Sequence, residues 1–434
     1  MNDLLRLITL QDATTRTVLL GAGLLGLAAG VVGTFAVLRR RALVGDAMAH
    51  AALPGVCLAY FVVGERSFGA FLLGALIAGL LGAWCIVLIR AHTRIKEDAA
   101  IGIVLASFFG LGIALSRIIQ NRPSGNRAGL DTFIFGKAAG MTSADTRLIG
   151  ITAVTIVALT YLLAREFGLL CFDRAFSASI GRRVILLDLI LMTLIGVCVV
   201  IGLPAVGVVM TAALLIIPAA AARFWTDRLW VMILLGGLFG SLSGLLGVGV
   251  SALAPRLAAG PVVVLVAAGI FVVSLITAPT RGLLPASVRR WRLRRRIILQ
   301  NLLRAMHEAN ERGEVEVTEA ALAAKRAWTT DQLASVLARA ARSGLVVHGP
   351  MGWRLTPRGV VEAAAVVRTH RLWELYLIEH AAIAPDHVDR DADQLEHILP
   401  PDVLARLEEQ LAMRERLPPS PHAIPVYEGS AAHG

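Results

Sequence analysis

The chain has 434 residues, of which 56% are hydrophobic and 17% are charged, with a formal net charge of +11. The mean hydropathy of +0.70 and a charged fraction below the roughly 25% of soluble domains exclude an ordinary water-soluble protein. The four cysteines form no CxxC pair, which excludes the usual zinc ribbon or disulfide framework. Because the basic, apolar and small-residue pattern of a signal peptide is missing from the first residues, we expect no cleaved leader.

Charge divides the sequence into two parts. Residues 1–297 contain 28 Lys and Arg against 12 Asp and Glu, whereas residues 298–434 contain 14 against 19. Eight of the ten histidines lie in the second part. We therefore expect a lipid-soluble part followed by an acidic, water-soluble part.

Long apolar runs dominate the first part. Residues 1–16 mix charges with leucines and predict an interfacial N-terminal helix, whereas a membrane span needs roughly 20 mostly apolar residues. Runs of that length lie at 17–38, 43–64, 67–90, 100–119, 145–165, 184–202, 205–222, 229–253 and 260–279. Neighbouring runs could merge or be re-entrant. The sequence predicts an all-α polytopic membrane protein with about 8–9 transmembrane helices over residues 17–285.

Basic residues in short loops predict the orientation, because they mark the cytoplasmic side. Five basic groups alternate consistently between the runs, at 39–41, 90–96, 174–183, 223–228 and 289–296. We expect a multi-pass protein of the bacterial inner membrane, with its N-terminus outside and its C-terminal domain in the cytoplasm. One loop departs from this scheme, since it is expected on the outer side but contains Arg122, Arg127 and Lys137. A short re-entrant or surface helix in this loop is the alternative.

Two ionisable residues lie inside the second apolar run, in "VGDAMAHAALPGV". A charged group in a span costs roughly 2.5–3.5 kcal/mol on insertion scales, so its presence needs a reason. Asp46 and His50 are four residues apart and share one helix face, and a carboxylate with an imidazole suits Mn²⁺, Fe²⁺ or Zn²⁺. Two such helices in a dimer would supply four ligands. Spacing alone equally allows the alternative that Asp46 only caps the helix or snorkels at its start.

One further carboxylate, Asp188, begins the sixth run without a partner at helical spacing. We expect it to pair with a nearby arginine, since Arg182 and Arg183 precede it by a turn or two.

Several ordered motifs carry a resemblance: "VLRRRALVGDAMAHAALPG", "RIKEDAAIGIV", "GLPAVGVVMTAALLIIPAAAA" and "APTRGLL". Over residues 15–285 the chain resembles the zinc/manganese/iron permease family of ABC transporters. The resemblance implies that Asp46 and His50 handle the transported metal. It also implies three partners: an ABC ATPase, an extracellular or periplasmic metal-binding receptor, and a second permease subunit, identical or related.

The segment "FDRAFSASIG" resembles the cytoplasmic coupling helix of that family, which docks on the ATPase. Phe172, Asp173, Ala178 and Gly181 match its pattern. No GxxxxGK[ST] loop occurs in the chain. We therefore expect a transporter subunit and not an enzyme, with no ATP site of its own and with a separate chain hydrolysing ATP.

The second part begins with a basic linker at 286–297 and a predicted winged helix-turn-helix at 298–356. Two short amphipathic helices are followed by Thr329 and Gln332, which form a capping-box pattern at the start of a third. "LVVHGPMGWRLT" predicts two short strands around a turn. The expected C-terminal domain is therefore an α+β winged-helix cytoplasmic domain.

Residues 357–425 concentrate metal-type ligands, ahead of a tail at 426–434. His370 and Glu374 are four residues apart, and one predicted helix face carries Asp389, Asp393, Glu396 and His397. Carboxylates with imidazoles and no thiolate favour Mn²⁺ or Fe²⁺ over structural zinc. A solvated acidic helix beside a surface histidine is the alternative on spacing alone.

The motifs "RGVVEAAAVVRTHRLWELYL", "HVDRDADQLEHIL" and "SPHAIP" resemble the diphtheria toxin repressor family of metal-dependent regulators over residues 298–425. The resemblance implies that the six residues named above bind a regulatory metal and that the domain dimerises. A further ligand position of that family falls at Asn301, a weaker ligand, so one of the two family sites is expected to be incomplete.

DNA binding stays open, because phosphate contacts need a basic surface and this part is acidic. The candidate contacts are Lys325, Arg326, Thr330 and Gln332. The sequence favours the permease subunit of an ATP-binding cassette importer for a divalent transition metal (Mn²⁺ first, then Fe²⁺ or Zn²⁺), with a fused metal-sensing domain. The alternatives are a membrane-anchored metal-dependent transcriptional regulator and an ATP-independent channel or carrier.

Overall fold

A computed structural model of the chain describes residues 13–64, 67–121, 142–253, 257–325 and 328–380. The chain divides into two units between Ala286 and Ser287. Residues 1–12 of the predicted interfacial helix lie outside the described residues, and so does the outer loop with Arg122, Arg127 and Lys137. Residues 13–16, also predicted to belong to the interfacial helix, are helical and continuous with the first apolar run.

The first unit is built from helices. Their bounds are α1 (Ala13–Leu38), α2 (Ala42–Val63), α3 (Phe68–His92), α4 (Glu97–Gln120), α5 (Ser143–Leu162), α6 (Ala164–Phe172), α7 (Arg174–Ser179), α8 (Val184–Val206), α9 (Val208–Trp225), α10 (Leu229–Leu253) and α11 (Ala259–Thr277). In the described part of the chain, eight helices are long and apolar enough to cross a membrane: α1 to α5, α8, α10 and α11. Eight of the nine predicted runs thus coincide with such helices, and the run at 205–222 corresponds to the shorter α9.

Helices α1 and α10 pack through glycines. A Cβ atom on Gly26 would collide with the carbonyl oxygen of Gly240, and one on Gly30 with that of Gly236. Small residues spaced four apart allow helix backbones to approach closely where lipid supplies no hydrophobic drive for association. This contact places α1 in the interior, where Val32, Phe35 and other side chains are fully buried.

Gly207 alone separates α8 from α9. Its φ of +92° lies in a region that side chains disfavour, and its N–H donates to the carbonyl of Leu203, closing α8. The two helices are therefore interrupted at one residue, and α9 has only 18 residues.

The second unit contains most of α12 (Leu283–Glu311), α13 (Glu319–Lys325), α14 (Thr330–Arg342), strands β1 (Val346–His348) and β2 (Trp353–Leu355), and α15 (Pro357–His380). The strands are antiparallel, with Val347 opposite Arg354. The predicted capping box is present, since the Thr329 hydroxyl accepts from the Gln332 N–H at the start of α14. Residues 286–297, predicted as a linker, are helical and belong to α12.

Buried apolar side chains from α12, α13, α14 and the hairpin form the larger of two described cores in this unit, including Leu302, Met306, Leu322, Val336 and Val346. Leu303, Leu345 and Ala363 form the smaller one. Val317 pairs with Trp353 in an isolated antiparallel bridge, which attaches the segment before α13 to the hairpin. The elements found thus match the predicted helix, helix, helix and hairpin order.

Candidate functional site

Asp46 and His50 lie on one face of α2. The Nε2 atom of His50 is 3.6 Å from Oδ1 of Asp46. Helix α2 is preceded by Arg41 as its N-cap, and no acidic residue lies in its first turn. Asp46 is therefore not a helix cap, and its described ionic partner is the imidazole and not an arginine.

The surroundings of His50 are apolar on one side. Its side chain is 14% exposed and that of Asp46 is 31% exposed. The ring of Phe109, from α4, meets the imidazole edge to face at 4.8 Å between centroids. The Nδ1 atom of His50 is buried and has no hydrogen-bond partner. An orphaned buried nitrogen is uncommon and calls for an explanation such as an ion or a ligand.

This pair supplies two donors of the types that bind Mn²⁺, Fe²⁺ or Zn²⁺. Among the described residues, no group of three or more His, Cys, Asp or Glu side chains is placed to hold a metal ion. Two donors are too few for a resident metal site, which commonly has four or more. The pair therefore suits transient contact with a passing cation, or half of a site completed by another chain.

Asp188, at the start of α8, forms ion pairs with two arginines. Nη2 of Arg39 lies 2.9 Å from Oδ1, and Nη1 of Arg41 lies 3.0 Å from each carboxylate oxygen. Arg39 also donates to the carbonyl of Leu170 at 2.9 Å. The expectation that Asp188 pairs with an arginine is met, but its partners lie at the end of α1 and not at Arg182 or Arg183.

The same cluster continues to α3 and α4. Nε of Arg41 is 3.3 Å from Oε1 of Glu97, and Nη1 of Arg90 is 2.7 Å from Oε2. A cavity of about 340 Å³ lies beside these groups, and Arg174 of α7 also lines it. Asp188, Glu97 and the three arginines 39, 41 and 90 form what we term the inner charge network. Sequence reasoning missed it, although the run of three arginines at 39–41 was its visible signal.

The segment predicted to couple to an ATPase, residues 172–181, contains the last residue of α6, all of α7 and the turn after it. Asp173 caps α7, since its Oδ1 accepts from the Phe176 N–H at 2.8 Å, and Gly181 ends the segment with a φ of +80°. Ala178 is exposed. Three large apolar side chains are also exposed: Phe172 (67%), Phe176 (52%) and Ile180 (48%). A short capped helix with exposed apolar side chains is suited to contact another surface.

In the second unit, His370 is the one predicted metal ligand whose side chain is described. It is 2% exposed, and its Nδ1 lies 3.0 Å from Nη1 of Arg304 in α12. The Nε of Arg304 in turn donates to Glu308 at 2.8 Å. A guanidinium at that distance does not fit a metal ion on the same nitrogen. Asp389, Asp393, Glu396, His397 and the side chain of Glu374 lie outside the described residues.

The candidate DNA contacts are only partly available. The Lys325 ammonium donates to the carbonyl of Ala305 at 3.3 Å, and the amide of Gln332 accepts from the Thr329 N–H in the capping box. Thr330 is exposed, Asn301 is half-buried in α12, and Arg326 lies outside the described residues. These positions present little positive charge to a phosphate.

Comparisons with known proteins give the family of the chain. Residues 11–278 match the "ABC 3 transport family", and residues 356–426 match "Iron dependent repressor, metal binding and dimerisation domain". The "Manganese transport system membrane protein MntC" of Bacillus subtilis is 41% identical over 413 residues, covering 95% of this chain and 94% of the relative. The "Zinc transport system membrane protein TroC" of Treponema pallidum is 45% identical over 300 residues, covering 69% of this chain and 99% of the relative.

A solved structure agrees with the fold of the first unit. PsaBC from Streptococcus pneumoniae in complex with Fab is 32% identical, with a TM-score of 0.57 over 64% of this chain and 96% of that chain. The eight apolar helices and the membrane-protein relatives identify a multi-pass membrane protein. The chain belongs to the ABC 3 transport family.

Proposed function

We propose that this chain is the permease subunit of an ATP-binding cassette importer for a divalent transition metal, with Mn²⁺ first and then Fe²⁺ or Zn²⁺. The observation that carries the proposal is the Asp46–His50 pair, 3.6 Å apart in an apolar helix, with a buried and orphaned Nδ1. The relatives named for manganese and zinc transport support the substrate class.

The chemistry of the Asp46–His50 pair suits the passage of a divalent cation and not its permanent binding. A carboxylate and one imidazole offset part of the dehydration cost of a divalent cation in an apolar helix bundle. Conduction requires that the ion both enters and leaves, and two ligands from one chain alone hold it only weakly. A second permease subunit, identical or related, would contribute the facing ligands.

Energy and delivery would come from other chains. The exposed apolar side chains of α6, α7 and Ile180 would dock on a separate ABC ATPase at the cytoplasmic face of the inner membrane, and an extracellular or periplasmic receptor would deliver the metal. The five basic groups at 39–41, 90–96, 174–183, 223–228 and 289–296 support this orientation, because basic residues concentrate in cytoplasmic loops.

We also propose that the second unit is a cytoplasmic, winged-helix regulatory domain that responds to metal. Helices α12 to α14 and the antiparallel hairpin support the fold, and the match of residues 356–426 to a metal binding and dimerisation domain supports the role. The contact between Arg304 and His370 means that at least one ligand position is filled by a protein cation. The net negative charge of residues 298–434 favours feedback on transport over DNA binding.

The direct test is uptake of radioactive Mn²⁺ by cells or proteoliposomes containing the complete transporter. Asp46→Asn and His50→Gln, singly and together, should each lower uptake at least about tenfold, because each removes a metal ligand. The amount of folded protein should stay unchanged. A tenfold loss corresponds to about 1.4 kcal/mol of stabilisation of the passing ion. The matched controls are Asp227→Asn and His92→Gln, which change exposed residues of the same types. Uptake in the Asp46 and His50 variants equal to that in the controls would sink the proposal.

A further inference from the structure

We infer that Asp188 is a positioning residue that links the coupling segment to the metal-handling helix α2. The inference rests on the proposed function. It concerns how motion at α7 would reach Asp46 and His50, which lie on another helix.

The first observation is the backbone between α1 and α2. Arg40 has a φ of +57° and is the one non-glycine residue with positive φ in the described part of the chain. The Arg41 N–H donates to the carbonyl of Ala36 at 2.9 Å and closes a turn at the end of α1. In such turns the left-handed position, here that of Arg40, is normally glycine. A left-handed non-glycine residue is disfavoured, and it persists where the surrounding structure holds it in place.

The second observation is the charge at the start of α2. Arg41 is the N-cap of this helix and forms no side-chain capping bond, although the positive end of a helix disfavours a cation. Its guanidinium instead binds both oxygens of Asp188 at 3.0 Å. The side chains of Arg39, Arg41 and Asp188 are 10%, 11% and 16% exposed, so water screens the contact little. Asp188, together with Glu97 at Nε of Arg41, therefore holds the turn that the local sequence disfavours.

The third observation is the position of Asp188 in the chain. It lies on α8, five residues after Arg183 and directly downstream of the α7 segment, and Arg174 of α7 lines the cavity beside it. On the other side, Asp46 lies five residues after Arg41. A displacement of α7 and the start of α8 would pull on Arg41 through the two 3.0 Å contacts from its Nη1 to Asp188 and would shift α2 with its ligands. The carboxylate also accepts from Nη2 of Arg39, and charge-assisted contacts from two arginines restrict its orientation as well as its distance.

The experiment measures the ratio of ATP hydrolysed to Mn²⁺ transported by the complete transporter in proteoliposomes. Asp188→Asn keeps the size of the side chain and removes its charge. We expect the ratio to rise at least about tenfold, with ATP hydrolysis within about twofold of the parent. Asp188→Glu should recover most of the coupling. Asp227→Asn, which removes the exposed partner of Arg223 and Arg281, should leave the ratio unchanged.

A merely structural role would lower hydrolysis and transport in proportion, and an unchanged ratio in Asp188→Asn would overturn the inference. If Asp188→Asn fails to fold, Arg41→Lys provides the second test, because it keeps the charge but cannot contact Asp188 and Glu97 through separate nitrogens, as Nη1 and Nε of Arg41 do. That variant should also raise the ratio, and an unchanged ratio there would overturn the inference. A parent transporter that moves no metal would overturn the proposed function together with this inference.

Discussion

The guanidinium of Arg304 lies 3.0 Å from Nδ1 of His370, and both side chains are buried, at 6% and 2% exposure. A protein cation thus occupies one of the two nitrogens through which this imidazole could bind a metal. Arg304 also forms an ion pair with Glu308, four residues further along α12. Metal binding in the second unit should therefore compete with an internal arginine.

Replacing Arg304 by methionine should tighten Mn²⁺ binding to the second unit by about tenfold, because the competing cation is removed while most of the side-chain volume is kept. The measurement is equilibrium dialysis of Mn²⁺ against the full chain in detergent. The background carries Asp46→Ala and His50→Ala, so that the membrane pair does not contribute. Arg312→Met, at an exposed position, is the control, and equal affinity in both variants would contradict the idea of competition.

Removing the exposed aromatic ring of α7 should weaken ATPase docking. We expect Phe176→Ala to lower the amount of ATPase that co-purifies with this chain by about tenfold, since truncating a hot-spot side chain near the centre of an interface costs about 2 kcal/mol or more. The comparison is Met351→Ala, because Met351 is 80% exposed in the hairpin turn of the second unit. Full ATPase recovery with Phe176→Ala would show that the docking surface lies elsewhere.

The contact between α1 and α10 should not tolerate a side chain at Gly30. We expect Gly30→Val to destabilise the first unit by roughly 1–3 kcal/mol or to prevent folding, because the added atoms would collide with the Gly236 backbone. Fluorescence-detected size exclusion after heating gives the apparent melting temperature. Gly110→Val is the matched control, since a Cβ on Gly110 would meet no atom within 4 Å; an equal melting temperature for the two variants would refute the packing argument.

His307 in α12 should make the second unit sensitive to acid. Burial lowers the pKa of His307, Arg371 lowers it further, and Glu311 and Glu308 only partly oppose this. The folded state therefore binds a proton less readily than the unfolded state. Stability from this residue is present above the unfolded pKa of about 6.5 and is lost as the pH falls through the lower folded value.

Hydrogen exchange at residues 302–309, corrected for the intrinsic rate at each pH, should show weaker protection at pH 5.5 than at pH 7.5. We expect His307→Gln to reduce that pH dependence, whereas His348→Gln, at an exposed position, should keep it. A pH dependence unaffected by His307→Gln would assign the acid sensitivity to other groups.

Much of the membrane unit could be predicted from the sequence because apolar run length reflects a fixed bilayer thickness. The shared face of Asp46 and His50 followed from helical periodicity, and the capping box at Thr329 from a local pattern. The partners of Asp188 could not be found this way, since Arg39 and Arg41 are 149 and 147 residues away in the chain. Local spacing pointed to Arg182 and Arg183 instead.

Two other features of the structure differ from the prediction, because the residues concerned occur both inside helices and outside them. The basic segment at 286–297 suggested a linker by its charge, but arginine is a good helix former, and the segment continues α12. The break at Gly207 was not visible, because many other glycines in this chain lie inside helices. Which glycine takes a positive φ depends on the packing around it.

The single-residue break at Gly207 also joins two helices of different reach. At 1.5 Å per residue the 18 residues of α9 extend about 27 Å, less than the roughly 30 Å of hydrocarbon in a bilayer, whereas the 23 residues of α8 extend about 35 Å. A helix shorter than the hydrocarbon layer is accommodated by local thinning of the bilayer or by flanking residues that extend to the interface. The lipid next to α9 should therefore be thinner than the lipid next to α8.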